Sequence, residues 1–350
     1  MKDIRMKKRL SLGLAAALAL CAPAQAQQSV ESFYKGRTID FYIGFSPGGG
    51  YDFYARLLAR FMGEHIPGKP NIIAKNMAGG GSRTAASYMY TVAPKDGTAL
   101  ATVDQATPVQ QAVGDPTIKF DTAKFNFIGN PVVDNNVVVT WHTSGVKTLE
   151  DATKKEYAIG ATGLNTSSQY PQALNIVAGT KFKIILGYPG ANEINLAREN
   201  GEVAGRGSNS WASYKATKPD WIRDKKMNVL VQIGLQKAKD LPDVPLLMDL
   251  AKNDEDRAAL KLLSAPPDIG RPVFAPPGVP ADRVKALRDA FDATMKDAAF
   301  LEAAKREGLD IDPVSGEQLQ KIVSEILAAP QPVRDRLATL IEVSQLGGAK

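Results

Sequence analysis

Residues 38–62 read TIDFYIGFSPGGGYDFYARLLARFM, and three local patterns follow one another within them. Thr38 to Phe45 is dense in β-branched and aromatic residues, the composition of a buried strand. Ser46-Pro47-Gly48-Gly49-Gly50 breaks it with turn residues. Tyr54, Leu57, Leu58, Phe61 and Met62 then stand at helical spacing on one face, with Asp52 placed where an N-cap belongs. Strand, glycine turn and helix make one βα unit of a layered α/β fold.

The unit recurs along the chain. Asn71 to Asn76 predicts a strand, Ala78-Gly79-Gly80-Gly81-Ser82 a turn, Arg83 to Val92 a helix and Ala99 to Asp104 a strand. Further on, strands are expected at Asn136–Trp141, Tyr157–Ala161, Lys181–Gly187 and Met227–Leu235, with helices between them. After Ala275-Pro276-Pro277-Gly278, the spacing of Val284, Leu287, Phe291 and Met295 marks a C-terminal helix. A length of 350 residues suggests two domains, and 44% apolar with 23% charged residues is ordinary for a globular chain.

The first 26 residues are a separate matter. Lys2, Arg5, Lys7, Lys8 and Arg9 precede an apolar run, Leu10 to Ala22, and then Ala24-Gln25-Ala26. This is the three-part pattern of a secretory signal peptide, with cleavage expected after Ala26. The run is shorter than the roughly 20 residues of a spanning helix. A retained anchor and a lipoprotein acylated at Cys21 are the competing readings, though Leu20 stands where a lipobox has a small residue. The segment carries five positive charges and one negative, so the net +6 falls to about +2 without it. That balance does not point to nucleic acid. One Cys and two His leave little for a metal, a haem or a disulfide framework, and no cofactor is expected.

Chemistry is therefore sought in the loops. Glycine lets backbone approach a ligand, and the first turn of a helix has free N–H groups and a partial positive charge. Together they hold anions. The candidates are Ser46 to Asp52, Gly79 to Arg83 and Thr162 to Ser168; for each alone, a tight turn with no ligand is the competing reading. None ends in the Lys-Ser/Thr of a P-loop or keeps the order of a dinucleotide fingerprint. Arg83, beside three glycines, and Arg206, between Gly205 and Gly207, could pair with a carboxylate or lie solvated at the surface. Tyr188 and Trp211 could line a cleft or simply pack. Gly44-Phe45-Ser46-Pro47-Gly48 matches the G-x-S-x-G of hydrolases, but Pro47 lacks the N–H that an oxyanion hole needs. Neither His65 nor His142 completes a triad.

In order and spacing, Phe45-Ser46-Pro47-Gly48-Gly49-Gly50-Tyr51-Asp52, Asn76-Met77-Ala78-Gly79-Gly80-Gly81-Ser82 and Pro94-Lys95-Asp96-Gly97-Thr98 resemble the Bug-type solute receptors. These are extracytoplasmic subunits of tripartite tricarboxylate transporters. The match continues through Gly160 to Ser168, Tyr188-Pro189-Gly190 and Gly201-Glu202-Val203. Ala78 and Gly80 depart from the usual proline and alanine, and Arg83 adds a charge.

The resemblance implies an α/β, two-lobe, type II periplasmic-binding-protein (Venus-flytrap) fold. Lobe one is expected over 37–134 plus 229–350, and lobe two over 135–228. The implied protein is a periplasmic, monomeric receptor, not an enzyme, that delivers a small organic carboxylate to a two-subunit membrane permease. The expected ligand-binding residues are Ser46, Gly48, Gly49, Gly50, Tyr51, Asp52, Gly80, Gly81, Ser82, Arg83, Thr162, Gly163, Asn165, Thr166, Ser167, Ser168, Tyr188 and Arg206. A co-receptor for a membrane sensor shares these expectations. A secreted hydrolase using Ser46 is the enzymatic alternative.

Overall fold

A computed structural model describes residues 29–342, so the expected signal peptide and Cys21 lie outside the described residues. After a short helix, Val30–Tyr34, the first strands in chain order are β1 (Thr38–Ile43), β2 (Asn71–Asn76), β3 (Ala99–Thr102) and β4 (Asn126–Asn130). It crosses through residues 131–135 into β5 (Asn136–Trp141), β6 (Tyr157–Gly160), β7 (Phe182–Ile185), β8 (Gly205–Ser210) and β9 (Met227–Ile233). Residues 234–272 lead back to β10 (Val273–Ala275) and β11 (Val314–Ser315). Two sheets result, with strand orders β11-β4-β10-β3-β1-β2 and β7-β6-β8-β5-β9. This is the two-lobed α/β architecture, each sheet forming one lobe.

Both sheets are mixed. β1 pairs in parallel with β2 and β3, and β6 with β7 and β8, whereas β10 and β5 run antiparallel to their neighbours. Every residue of β3 and β5 is buried, as expected of strands covered on both faces. The helix Gly50–Phe61 lays Tyr54, Leu57 and Leu58 into a core with Ile39, Phe41 and Ile43.

Two observations bear on the expected lobe bounds. The lobe boundary at 228/229 falls inside β9, whose seven residues all belong to the second sheet, because β9 pairs with β5 from Met227 to Ile233. The C-terminal helix Gln331–Leu340 packs on the helix Asp254–Leu263 and touches the second-lobe helix Thr166–Val177. Among the described residues, no helix is long and apolar enough to cross a membrane.

Asn130 ties the two crossings together. Its Oδ1 accepts from the Arg271 backbone N–H at 2.8 Å, and its Nδ2 donates to the Val132 carbonyl at 2.8 Å. Arg271 is thereby held where both crossings meet.

Candidate functional site

A cavity of about 50 Å³ lies between the lobes. The first lobe supplies Phe45, Gly49, Gly50 and Tyr51 from the turn after β1, and Asp104 and Gln105 from the turn after β3. The second supplies Thr162, Thr166 and Ser167 from the turn after β6, and Arg206, Ser208, Asn209 and Ser210 from β8; Arg271 enters from the crossing. The Phe45 and Tyr51 rings, 4.7 Å apart between centroids, form an apolar wall. The Tyr51 hydroxyl accepts from the Gln105 N–H at 3.2 Å, and burial pushes its pKa well above the usual phenol value.

Arg206 is the singular group. It is 7% exposed, and among the described residues its Nε and Nη1 have no hydrogen-bond partner. Desolvation pulls its pKa down to about 10, with Arg198 adding to the fall; it remains a cation at neutral pH. β8 positions it. The sequence GRGSNS has no apolar residue, yet it forms an inner strand because its glycines admit close neighbours. A Cβ at Gly205 would sit 2.3 Å from the Val139 carbonyl, and one at Gly207 would sit 1.9 Å from the Ser167 carbonyl. Arg198 is also fully buried, boxed by Trp141, Tyr214 and Trp221 at 5.7, 5.6 and 4.8 Å from the ring centroids. Two guanidinium groups that make no ion pair among the described residues give this part of the second lobe a positive potential, which Glu193 partly offsets.

Arg271 is better served. Its Nη2 donates to Ser210 Oγ at 2.8 Å and to Ser213 Oγ at 2.5 Å, and its guanidinium lies 4.4 Å from the Tyr54 ring centroid. Ser210 Oγ in turn donates to Asp134 at 2.7 Å. Asp104 opposes this positive field. Its carboxylate accepts from the Ala106 N–H at 3.0 Å and from Thr166 Oγ1 at 3.0 Å. Burial raises its pKa from 3.8 to about 6, a rise that these hydrogen bonds limit. A cavity built from two lobes, with cationic side chains and hydroxyl donors on its wall, can hold a small anion.

A sequence profile described as tripartite tricarboxylate transporter family receptor matches residues 54–338. The chain belongs to this family. A protein of Cupriavidus necator described as "UPF0065 protein in gbd 5'region" is 26% identical over 332 residues, 92% of this chain and 93% of that one. The structure of the periplasmic binding protein BugD is similar with a TM-score of 0.66 at 17% identity, over 91% of this chain and 99% of that chain. MatC from Rhodopseudomonas palustris, with bound malate, gives a TM-score of 0.65 at 17% identity over 88% and 99% of the two chains. At such identities the structural likeness is one of fold.

In this receptor, the residues singled out from the sequence separate into three places. Gly49, Gly50, Tyr51, Thr162, Thr166, Ser167 and Arg206 line the cavity. Gly80, Gly81, Ser82, Arg83, Gly163 and Tyr188 instead border an adjoining groove of about 370 Å³, which shares Phe45 and Thr162 with the cavity. There Arg83 binds Asp115, Thr117 and the Leu164 carbonyl, so its charge is already answered. The rest organise backbone or join the lobes. The helix after β1 begins at Gly50 with Gly49 as its cap, so Asp52 lies inside the first turn and is not the N-cap. Its carboxylate accepts from the Gly48 N–H at 2.9 Å, from Arg56 Nε at 2.9 Å and from Asn76 Nδ2 at 2.8 Å. Asn165 caps the helix Thr166–Val177, and Ser168 Oγ donates back to the Asn165 carbonyl. Ser46 Oγ donates to Glu193 Oε2 at 3.0 Å across the lobes.

Sequence reading missed Asp104, Gln105, Ser208, Ser210 and Arg271 as cavity residues. The run Gln105 to Pro108 that breaks the strand after Asp104 was an available signal for the first two. Arg271 follows Gly270 and precedes Pro272 in a segment with no periodicity, and nothing local marked it.

Proposed function

We propose that this receptor works in the periplasm, closing its two lobes over a small organic carboxylate and presenting it to a membrane permease. The observation that carries the reading is Arg206, a buried guanidinium on the wall of the interlobe cavity with Nε and Nη1 unpartnered. An uncompensated buried charge is costly, and a bound carboxylate would answer it. The family match supports the receptor role, and MatC, similar in fold, is a protein with bound malate. The basic and apolar first 26 residues support export by a cleaved signal.

Closure suits the geometry. The ligand would join the cationic β8 of the second lobe to the turns after β1 and β3 of the first, and closure would exclude water and strengthen each polar contact. The test is a thermal-shift screen of the purified protein against mono-, di- and tricarboxylates, amino acids and sugars, followed by calorimetry. At 100 times its dissociation constant a ligand adds about 2.7 kcal/mol of stability. Stabilisation by carboxylates that Arg206→Met abolishes is the expected result. Stabilisation by neutral sugars alone would overturn the reading. Co-purification of the loaded receptor with a two-subunit permease tests the transport partner.

A further inference from the structure

The charges that meet in the cavity are not of one sign. Arg271 has a carboxylate one hydroxyl away: Ser210 Oγ accepts from its Nη2 and donates to Asp134, and the backbone N–H of Ala212 also donates to Asp134. The Arg271 charge is thus answered within the protein. Among the described residues, Arg206 Nε and Nη1 have no hydrogen-bond partner. Asp104 mirrors it. The carboxylate is met by neutral donors, the Ala106 N–H and the hydroxyl and backbone N–H of Thr166, and makes no ion pair among the described residues. Arg83, the cation that lowers its pKa, is itself committed to Asp115. Among the described residues, the cavity thus presents on the second lobe a cation with no ion pair, and on the first an anion with none.

Asp104 is also held in place. Ser82 adopts φ +78°, a left-handed conformation uncommon for a residue with a side chain, and its Oγ accepts from the Asp104 N–H at 2.8 Å. Ser82 fixes the Asp104 backbone, and the bonds from Ala106 and Thr166 hold its carboxylate.

We infer that Asp104 sets the polarity of the cleft, so that the receptor prefers a carboxylic acid whose far end carries a hydroxyl or ammonium donor over a dicarboxylate. The inference rests on the carboxylate-receptor reading. The ligand carboxylate meets Arg206, and the donor at its other end meets the lone pairs that Asp104 has left, since each carboxylate oxygen accepts more than one hydrogen bond. A second ligand carboxylate at that end would bring like charges together in a buried site, a repulsive device that gives specificity. A methyl end would leave the Asp104 carboxylate desolvated without gaining a donor. Because the two ends are held by different lobes, a ligand with the wrong end also fails to stabilise the closed state.

The experiment is calorimetric titration at neutral pH with four-carbon acids that differ only at the far end: 4-hydroxybutyrate, 4-aminobutyrate, butyrate and succinate. The three- and five-carbon homologues cover ligand length. In the wild-type receptor the better of the hydroxy and amino acids binds roughly tenfold or more tighter than the diacid and the unsubstituted acid of equal length. In Asp104→Asn that preference over the diacid collapses. A diacid that binds as tightly as both donor-bearing acids, or a preference unchanged in Asp104→Asn, overturns the inference. Should Asp104→Asn fail to fold, the wild-type ranking alone decides. Absence of binding by every carboxylate overturns the receptor reading itself, and this inference with it.

Discussion

Thr166 Oγ1, at the start of a second-lobe helix, donates a hydrogen bond of 3.0 Å to Asp104 Oδ2 on the first lobe. The two lobes are thus joined through a fully buried carboxylate. That carboxylate titrates at about 6 in the folded chain, against 3.8 when exposed. The folded protein therefore binds more protons than the unfolded one between these values, and the Asp104 contribution to stability falls as pH rises through the window. The two-unit rise corresponds to about 3 kcal/mol, lost on going from pH 4 to neutrality and constant above it. Asp134 and Asp268 are raised by burial as well, so the comparison must be with a variant. Denaturant unfolding of wild type and Asp104→Asn across this range should show the wild type losing ground as pH rises. Parallel profiles would mean that Asp104 titrates normally.

Arg206 separates stability from binding. Its guanidinium is desolvated and its Nε and Nη1 are unpartnered, so replacing it with an apolar side chain of similar length relieves a cost in the empty protein. Arg206→Met is expected to leave ligand-free stability unchanged or raise it by about 1–4 kcal/mol. The same variant should lose about 2–5 kcal/mol of carboxylate affinity. Melting curves with and without ligand measure both at once. A variant that is less stable when empty but binds normally would make Arg206 a structural residue.

The lobes touch where a side chain cannot fit. A Cβ on Gly163 would stand 2.6 Å from the Gly81 amide nitrogen and 2.9 Å from the Gly80 carbonyl carbon, both backbone atoms that have little room to give. Gly163 does not share the positive φ of Gly79, Gly80 and Gly81, so alanine suits its backbone when the lobes are apart. Gly163→Ala should therefore fold with near wild-type stability yet bind ligand at least tenfold more weakly, because closure is blocked. Small-angle scattering with saturating ligand would show the variant remaining open. Compaction equal to wild type would show that the contact yields.

The pattern of legible and illegible features follows from range. The unit from β1 through its glycine turn into the helix Gly50–Phe61 is encoded by neighbours in sequence, and local spacing revealed it. The turn at Thr162 to Ser168 was visible for the same reason. β8 was hidden because it is a strand by virtue of its surroundings: GRGSNS lacks β-formers and lies inside the sheet, between β6 and β5. The roles of the arginines were decided at still longer range. Arg83 and Arg206 read alike beside their glycines, yet Asp115 answers one, and among the described residues no carboxylate pairs with the other. Asp104 and Arg271 belong to the cavity only through the crossings that bring the lobes together.

That difference makes Arg83 a test of its own. The side chain of Asp115 is 1% exposed, and it also accepts from the Thr117 N–H and hydroxyl, while Arg83 reaches across to the Leu164 carbonyl at 2.5 Å. Removing the cation alone leaves a buried carboxylate without its charge partner, which costs about 3–5 kcal/mol. Arg83→Met should therefore be strongly destabilised, and Arg83→Met with Asp115→Asn should recover most of the loss, a coupling that a double-mutant cycle in urea measures. Ligand affinity in the double variant should fall only modestly, through the lost bond to Leu164, because Arg83 does not line the interlobe cavity. If the double variant recovers stability but loses binding as completely as Arg206→Met, Arg83 holds the ligand directly and its pairing with Asp115 gives way when ligand arrives.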